Sequence, residues 1–202
     1  MGLDMYLNRM PRSEATPRQI RAIEEYFGYQ KEVANGRTDT FKQWCGFSES
    51  DLPESEVIDF YRPHYRCRYY LWDEEKRYPY ESIMEEVAYW RKANQIHNWF
   101  VQNIQDGYDD CNYHHEVTED DLLCLLSSCK TVLKNVKKMD NGEVVVNQIA
   151  KEILPTQGGF FFGDVEYDEY YVNDIENTVE MIEKVLATTN FDTQMIYYVS
   201  SW

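Results

Sequence analysis

The sequence predicts an α+β fold: one domain over residues 1–202, with a small, mainly antiparallel sheet and about four to five helices packed around a central helix at about residues 80–106. Three observations predict it. Residues 3–9 and 195–199, near the two ends, read as strands, the first by alternation of apolar and polar residues. Between them, apolar residues recur at helical spacing in several segments. The stretch from Tyr80 to Asp106 has neither Gly nor Pro, and steps of three and four lead through Ile83, Val87, Trp90, Asn94, His97, Val101 and Ile104. That is an apolar seam with two polar residues, Asn94 and His97, set into it.

The elements follow in order. Leu3, Met5 and Leu7 form the apolar side of the first strand, which Pro11 ends. Thr16 serves as N-cap with Pro17 at the first helical position, and a helix runs to about Val33 on Ile20, Ile23 and Phe27 before Asn35-Gly36 closes it. Residues 36–57 lose this pattern and read as an irregular surface excursion. Residues 57–61 and 65–72 read as two strands, the second carrying Arg66 and Arg68 on one polar, cationic face.

After the central helix, residues 109–115 form a polar loop. Thr118 with Asp121 makes a near-capping box for a helix to about Lys138, in which Cys124 and Cys129 are read as core. Residues 143–154 read as a shorter helix that Pro155 stops. The segment 157–163 places three phenylalanines between glycines and reads as a short buried strand and turn. A last helix covers about 169–188 on Val172, Ile175, Val179, Ile182 and Leu186, and the final strand follows it. The two terminal strands are expected to pair or neighbour each other.

Composition excludes several function classes. The formal charge is −16, so direct nucleic-acid binding is disfavoured for want of a positive surface. The charge leaves two readings, plain solubility or a surface that imitates nucleic acid to block a basic partner. No run of about eighteen apolar residues predicts a membrane span, and no signal peptide is visible, so a cytoplasmic protein with reduced cysteines is expected. Neither a P-loop nor a dinucleotide fingerprint is present, and no cofactor is expected. Cys111, His114 and His115 have ligand-like spacing, yet a metal site needs further ligands, and a polar loop is the simpler reading. No nucleophile signature stands out, which leaves the enzyme question open and leaning against one.

Three stretches together resemble a known group. They are Met1-Gly2-Leu3-Asp4-Met5-Tyr6-Leu7, the segment from Glu86 through Trp90-Arg91-Lys92-Ala93-Asn94 to His97 and Trp99, and Leu154-Pro155-Thr156-Gln157 running through Phe160-Phe161-Phe162-Gly163 to Tyr167-Asp168-Glu169-Tyr170-Tyr171. With the closing Ser200-Ser201-Trp202, the chain resembles a family of small bacteriophage and prophage proteins that carries no catalytic assignment. The resemblance implies a phage accessory protein acting in the bacterial host cytoplasm.

The candidate pocket joins Trp90 as a stacking wall, Asn94 and His97 as hydrogen-bonding floor, and Gln157 with the segment around Phe161. Arg66, Arg68, Arg91 and Lys92 are the anion contacts if the ligand is a nucleotide. The plain alternative is that Asn94 and His97 form a satisfied core pair tying the helix to a loop. The leading expectation is a non-enzymatic binding protein, of counter-defence type, that sequesters a small nucleotide-like ligand or blocks a host protein. The alternatives are an acidic nucleic-acid mimic and a small nucleotide-acting hydrolase or transferase with His97 as base.

Overall fold

The computed structural model describes residues 2–62, 65–71, 77–111, 113–139 and 144–202, with side chains described except at Pro17, 66–71 and 77–82. The class is α+β. The described residues form eight strands: β1 (Asp4–Pro11), β2 (Arg66–Leu71), β3 (Arg77–Ser82), β4 (Glu85–Arg91), β5 (His115–Val117), β6 (Val136–Lys138), β7 (Val144–Val146) and β8 (Gln194–Ser201). The four longer helices are α1 (Pro17–Ala34), α4 (Asn94–Asn103), α5 (Glu119–Lys134) and α7 (Glu169–Thr188), and three short ones are α2 (Phe41–Cys45), α3 (Ser55–Tyr61) and α6 (Gln148–Ile153). They divide into two compact units, residues 10–85 and residues 1–9 with 86–202.

The larger unit holds the antiparallel four-stranded sheet, in the order β4-β1-β8-β5, so the two terminal strands are neighbours. β1 turns Met5 and Leu7 to the core, with Leu3 just before it, and β4 turns Ala88 and Trp90 the same way. These meet Ile96 and Phe100 of α4, Leu122, Leu125 and Cys129 of α5, and Val172, Ile175 and Ile182 of α7. Burying a large aliphatic side chain stabilises by roughly 1.5–3 kcal/mol, so this shared core is what holds the helices on the sheet. On the other face of β1 and β4, Tyr6 and Tyr89 pack ring to ring at 5.2 Å, and the Tyr89 hydroxyl donates to Asp4 Oδ1 at 2.5 Å. β6 and β7 form a separate short hairpin.

The smaller unit packs α1 with the short helices and the β2–β3 hairpin. Thr16 caps α1 through a reciprocal box with Gln19, and Thr40 repeats the device with Gln43 for α2. Glu24 of α1 accepts the Ile83 and Met84 backbone N–H groups at 2.7 and 3.3 Å.

Several expectations are corrected. The helix expected over 80–106 is three elements: the end of β3, all of β4, and α4. Trp90 also fits a period of two, since Ala88 and Trp90 are buried while Tyr89 and Arg91 are exposed. The break that separates strand from helix falls at Lys92, whose φ of 61° turns the chain without a glycine. Residues 57–61 are helical in α3, not a strand, because a short apolar run does not declare its period. Residues 36–57, expected to be irregular, contain α2, a 3-10 turn at Glu49–Asp51 and the start of α3.

Further along, Val144-Val145-Val146 forms β7 before α6 begins at Gln148, as three β-branched residues favour extended backbone. The 157–163 segment is a turn rather than a buried strand: Phe162 is buried, Phe161 half-buried, and Phe160 exposed. Cys129 is core, but Cys124 faces solvent.

Candidate functional site

Three segments distant in sequence meet at the corner between β4 and α4. Lys92 N–H donates to Leu3 O at 2.8 Å, and Leu3 N–H donates to Phe161 O at 2.9 Å. Asn94 completes the junction. Its Nδ2 donates to Phe162 O at 3.2 Å and Asp164 O at 2.7 Å, and its Oδ1 accepts Gln157 N–H at 2.9 Å. One buried amide therefore uses its donor and acceptor ends to fix the backbone of the 157–164 turn.

The turn itself needs glycine at two places. Gly163 has φ +89°, and a Cβ there would lie 3.1 Å from Lys92 Cβ. At Gly159 a Cβ would lie 2.7 Å from the Phe162 ring, which folds back over the glycine.

Between this corner and α7 lies a cleft of about 290 Å³. One wall carries Arg91 and Lys92; Asn94 and Gln95 line it beside them. Across from the β4–α4 corner in the chain, residues 163–174 supply Asp164, Glu166, Asp168, Tyr170, Tyr171 and Asp174. Asp168 is the N-cap of α7, accepting from Tyr170 N at 2.9 Å and Tyr171 N at 3.2 Å. Helical spacing then brings Tyr170, Tyr171 and Asp174 to one face.

The charges in the cleft are unequally occupied. Arg91 Nη1 lies 3.5 Å from Asp4 Oδ1, whereas the side chains of Lys92 and Glu166 make no ion pair among the described residues. Asp174 Oδ2 accepts from Gln95 Nε2 at 3.2 Å. Burial pushes the Asp174 carboxyl up to about 6, against the opposing Gln95 hydrogen bond and with help from Asp168. Behind it, Trp90 Nε1 donates to Thr178 Oγ1 at 2.9 Å, and Thr178 Oγ1 donates to Asp174 O at 2.6 Å. The cleft is thus dipolar, cationic at the β4 end and acidic along α7 and the loop before it.

His97 belongs to a different environment. It has no solvent exposure, and its Nδ1 and Nε2 lie 2.7 Å from Tyr198 Oη and 3.1 Å from Asp109 Oδ2. With Asp109 ionised, Nε2–H donates to the carboxylate and the Tyr198 hydroxyl donates to Nδ1, a self-consistent neutral tautomer. Burial lowers the His97 pKa below that of an ordinary histidine, outweighing the pull of Asp109, and raises that of Tyr198 well above its usual value. The Phe162 ring stands edge-on to His97 at 5.1 Å, and Trp202 Nε1 donates to Asp109 Oδ1 at 3.4 Å.

The structure therefore gathers Arg91, Lys92 and Asn94 at the cleft and places Trp90, His97, Gln157 and Phe161 outside its lining. Trp90 is buried behind it, and His97 is enclosed in the core. Gln157 is bound through its backbone, while its Oε1 is buried with no donor among the described residues. Phe161 offers its carbonyl to Leu3 and packs at the edge of the core. The side chains of Arg66 and Arg68 lie outside the described residues. At the suggested metal half-site, His115 Nε2 is 3.2 Å from Asp110 Oδ2 without hydrogen-bond alignment, and no three ligating side chains converge among the described residues.

Sequence reasoning missed Gln95 and the position of Asp174. The available signal was a carboxylate between Tyr171 and Ile175 on an otherwise apolar helix face. No family model, curated protein or solved structure matches the chain.

Proposed function

We propose that the chain is a non-enzymatic, phage-type accessory protein that holds a small nucleotide-like ligand in the Lys92–Asp174 cleft, acting as a counter-defence factor in the bacterial cytoplasm. The observation that carries this reading is the cleft's polarity. An unpaired ammonium at Lys92, beside Arg91, suits a phosphate or carboxylate. The carboxylates of Asp174 and Glu166 suit N–H donors such as those on a nucleobase edge, and exposed Tyr170 offers a ring for stacking. A volume of about 290 Å³ suits a mononucleotide or something smaller. The overall charge of −16 opposes a polyanion, but its reach beyond about 8 Å is screened at physiological ionic strength, so one anionic group beside two cations is acceptable.

The cleft favours holding over turnover. Its one lining hydroxyl other than tyrosine, Thr156 Oγ1, donates to Val165 O at 3.0 Å, and the imidazole of His97 is enclosed away from it.

The test is retention. Purified protein is incubated with a deproteinised bacterial lysate, washed, denatured, and the released compounds identified by mass spectrometry. Wild type should release one intact compound in stoichiometric amount, and Lys92→Ala should bind that compound at least about tenfold more weakly, the value of one charge-assisted contact. Release of nothing, with no thermal shift from any lysate fraction, rejects the proposal.

A further inference from the structure

Phe160 is 96% exposed at the tip of the turn that Asn94 fixes, with Phe161 edge-on beneath it at 4.9 Å. Exposed aromatics are common, but this one is held out by a braced backbone. Besides the Asn94 bonds, Phe162 N–H donates to Gly159 O at 3.1 Å, and Thr156 N–H donates to Tyr167 Oη at 3.2 Å. The side chain is presented without a large loss of backbone freedom on contact, which is the property of an interface anchor.

The surrounding chain says what kind of partner would receive it. Along the chain from Glu152 to Glu183 there is no Lys, Arg or His, and the turn leads directly into exposed Asp164, Glu166 and Glu169. Lys92, which packs on Gly163, lines the cleft, which Phe160 does not. A second copy would bring the same carboxylates against each other in a self-complementary contact. An anionic lipid surface or a nucleic acid would be repelled for the same reason.

We propose that the 158–163 turn is a docking knob for a basic protein: Phe160 enters an apolar pocket, and the carboxylates that follow it on the same loop meet cations at the pocket rim. The anchor itself, Phe160, does not line the cleft, although Gly163, Asp164 and Glu166 border both.

The test selects a displayed library of random dodecapeptides on the wild-type protein. Enriched sequences should combine an aromatic or aliphatic residue with Arg and Lys. Synthetic copies should bind Phe160→Ala at least tenfold more weakly than wild type, with Phe160→Leu between them. Their affinity should also fall as salt is raised from 50 to 500 mM. Because the side chain touches so little, Phe160→Ala should keep the wild-type thermal midpoint, so a loss of binding reads out the knob and not the fold. Retention of the cleft ligand should be unchanged in the same variant, which separates this proposal from the previous one. Peptides that lack cations, or that bind Phe160→Ala as well as wild type, overturn it. So does a Phe160-dependent dimer in sedimentation, or Phe160-dependent flotation with phosphatidylcholine vesicles.

Discussion

The cleft at the start of α4 and the enclosed cluster around His97 begin on the same helix, one turn apart, and use the same kinds of group. In the cluster, both ring nitrogens of His97 have partners and Asp109 accepts from both His97 and Trp202. In the cleft, Lys92 and Glu166 have none among the described residues, and Asp174 is held by one weak amide contact. A buried group must be satisfied within the chain, at a cost of roughly 1–3 kcal/mol if it is not, while a group at an opening can be left for something else to satisfy. Polar residues inside a helix seam therefore do not by themselves mark a site. Their unpaired neighbours do.

The largest effects should divide the two regions by what they damage. His97→Ala and Asn94→Ala should each destabilise by about 3 kcal/mol, the first through a cavity and two lost hydrogen bonds, the second through three lost hydrogen bonds. Chemical denaturation measures both. Under conditions where both variants remain folded, Asn94→Ala should also lose retention of the cleft ligand, because Asp164 and Gln157 lose their anchor, whereas His97→Ala should keep it. Equal retention in the two variants would erase the distinction.

Gly163→Ala should cost about 2 kcal/mol, from the left-handed backbone and the crowding against Lys92, with the loss read by thermal and urea unfolding. A cost below about 0.5 kcal/mol would mean that the turn adjusts freely.

Asp174 and His97 should oppose each other in pH dependence. The folded pKa of Asp174 is raised to about 6, so between about pH 4 and 6 the folded state binds more protons than the unfolded one, and stability from this group falls as pH rises. His97 is depressed, so its contribution falls as pH drops below its unfolded value near 6.5. Asp174→Asn should consequently exceed wild type by roughly 1–2 kcal/mol at pH 7.5 and match it near pH 4. An Asn variant no more stable at pH 7.5 would show that the carboxylate is already well solvated. Smallest of all, Lys92→Ala should change stability by less than about 0.5 kcal/mol while weakening the ligand, which equilibrium unfolding and calorimetry distinguish.

Parts of this architecture were legible because a local signal coincides with the tertiary outcome. The helices α1 and α5 announce themselves through Thr16 with Pro17 and through Thr118 with Asp121; both caps close as reciprocal boxes, the first with Gln19. The α7 seam carries through its whole length, and the terminal strands were readable as neighbours. The β4–α4 corner was not legible, because its pivot is a lysine with positive φ where a glycine would have marked the break. Fused with the helix after it, β4 presented Trp90, Asn94 and His97 as one face. Of the candidate site residues, Arg91, Lys92 and Asn94 line the cleft, but from a strand–helix corner and not from one helix face. Gln95 left no local pattern, and the one signal at Asp174, a carboxylate between Tyr171 and Ile175, does not say which distant helix start it faces.

The strand order has a consequence for how the molecule is made. β1 lies between β4 and β8, and its residue Arg9 reaches the carbonyl of Thr188, 179 positions later. During synthesis, β1 is made before both of its neighbours, and the second, β8, does not exist until residues 194–201 are added. Long-range pairing of this kind slows folding, because the loop must close before any contact rewards it. Until then one backbone edge of β1 stays unpaired, and the face that carries Met5 and Leu7 stays uncovered, open to adventitious partners. Chains stalled or cut before residue 194 should therefore aggregate rather than accumulate as a shortened, folded protein.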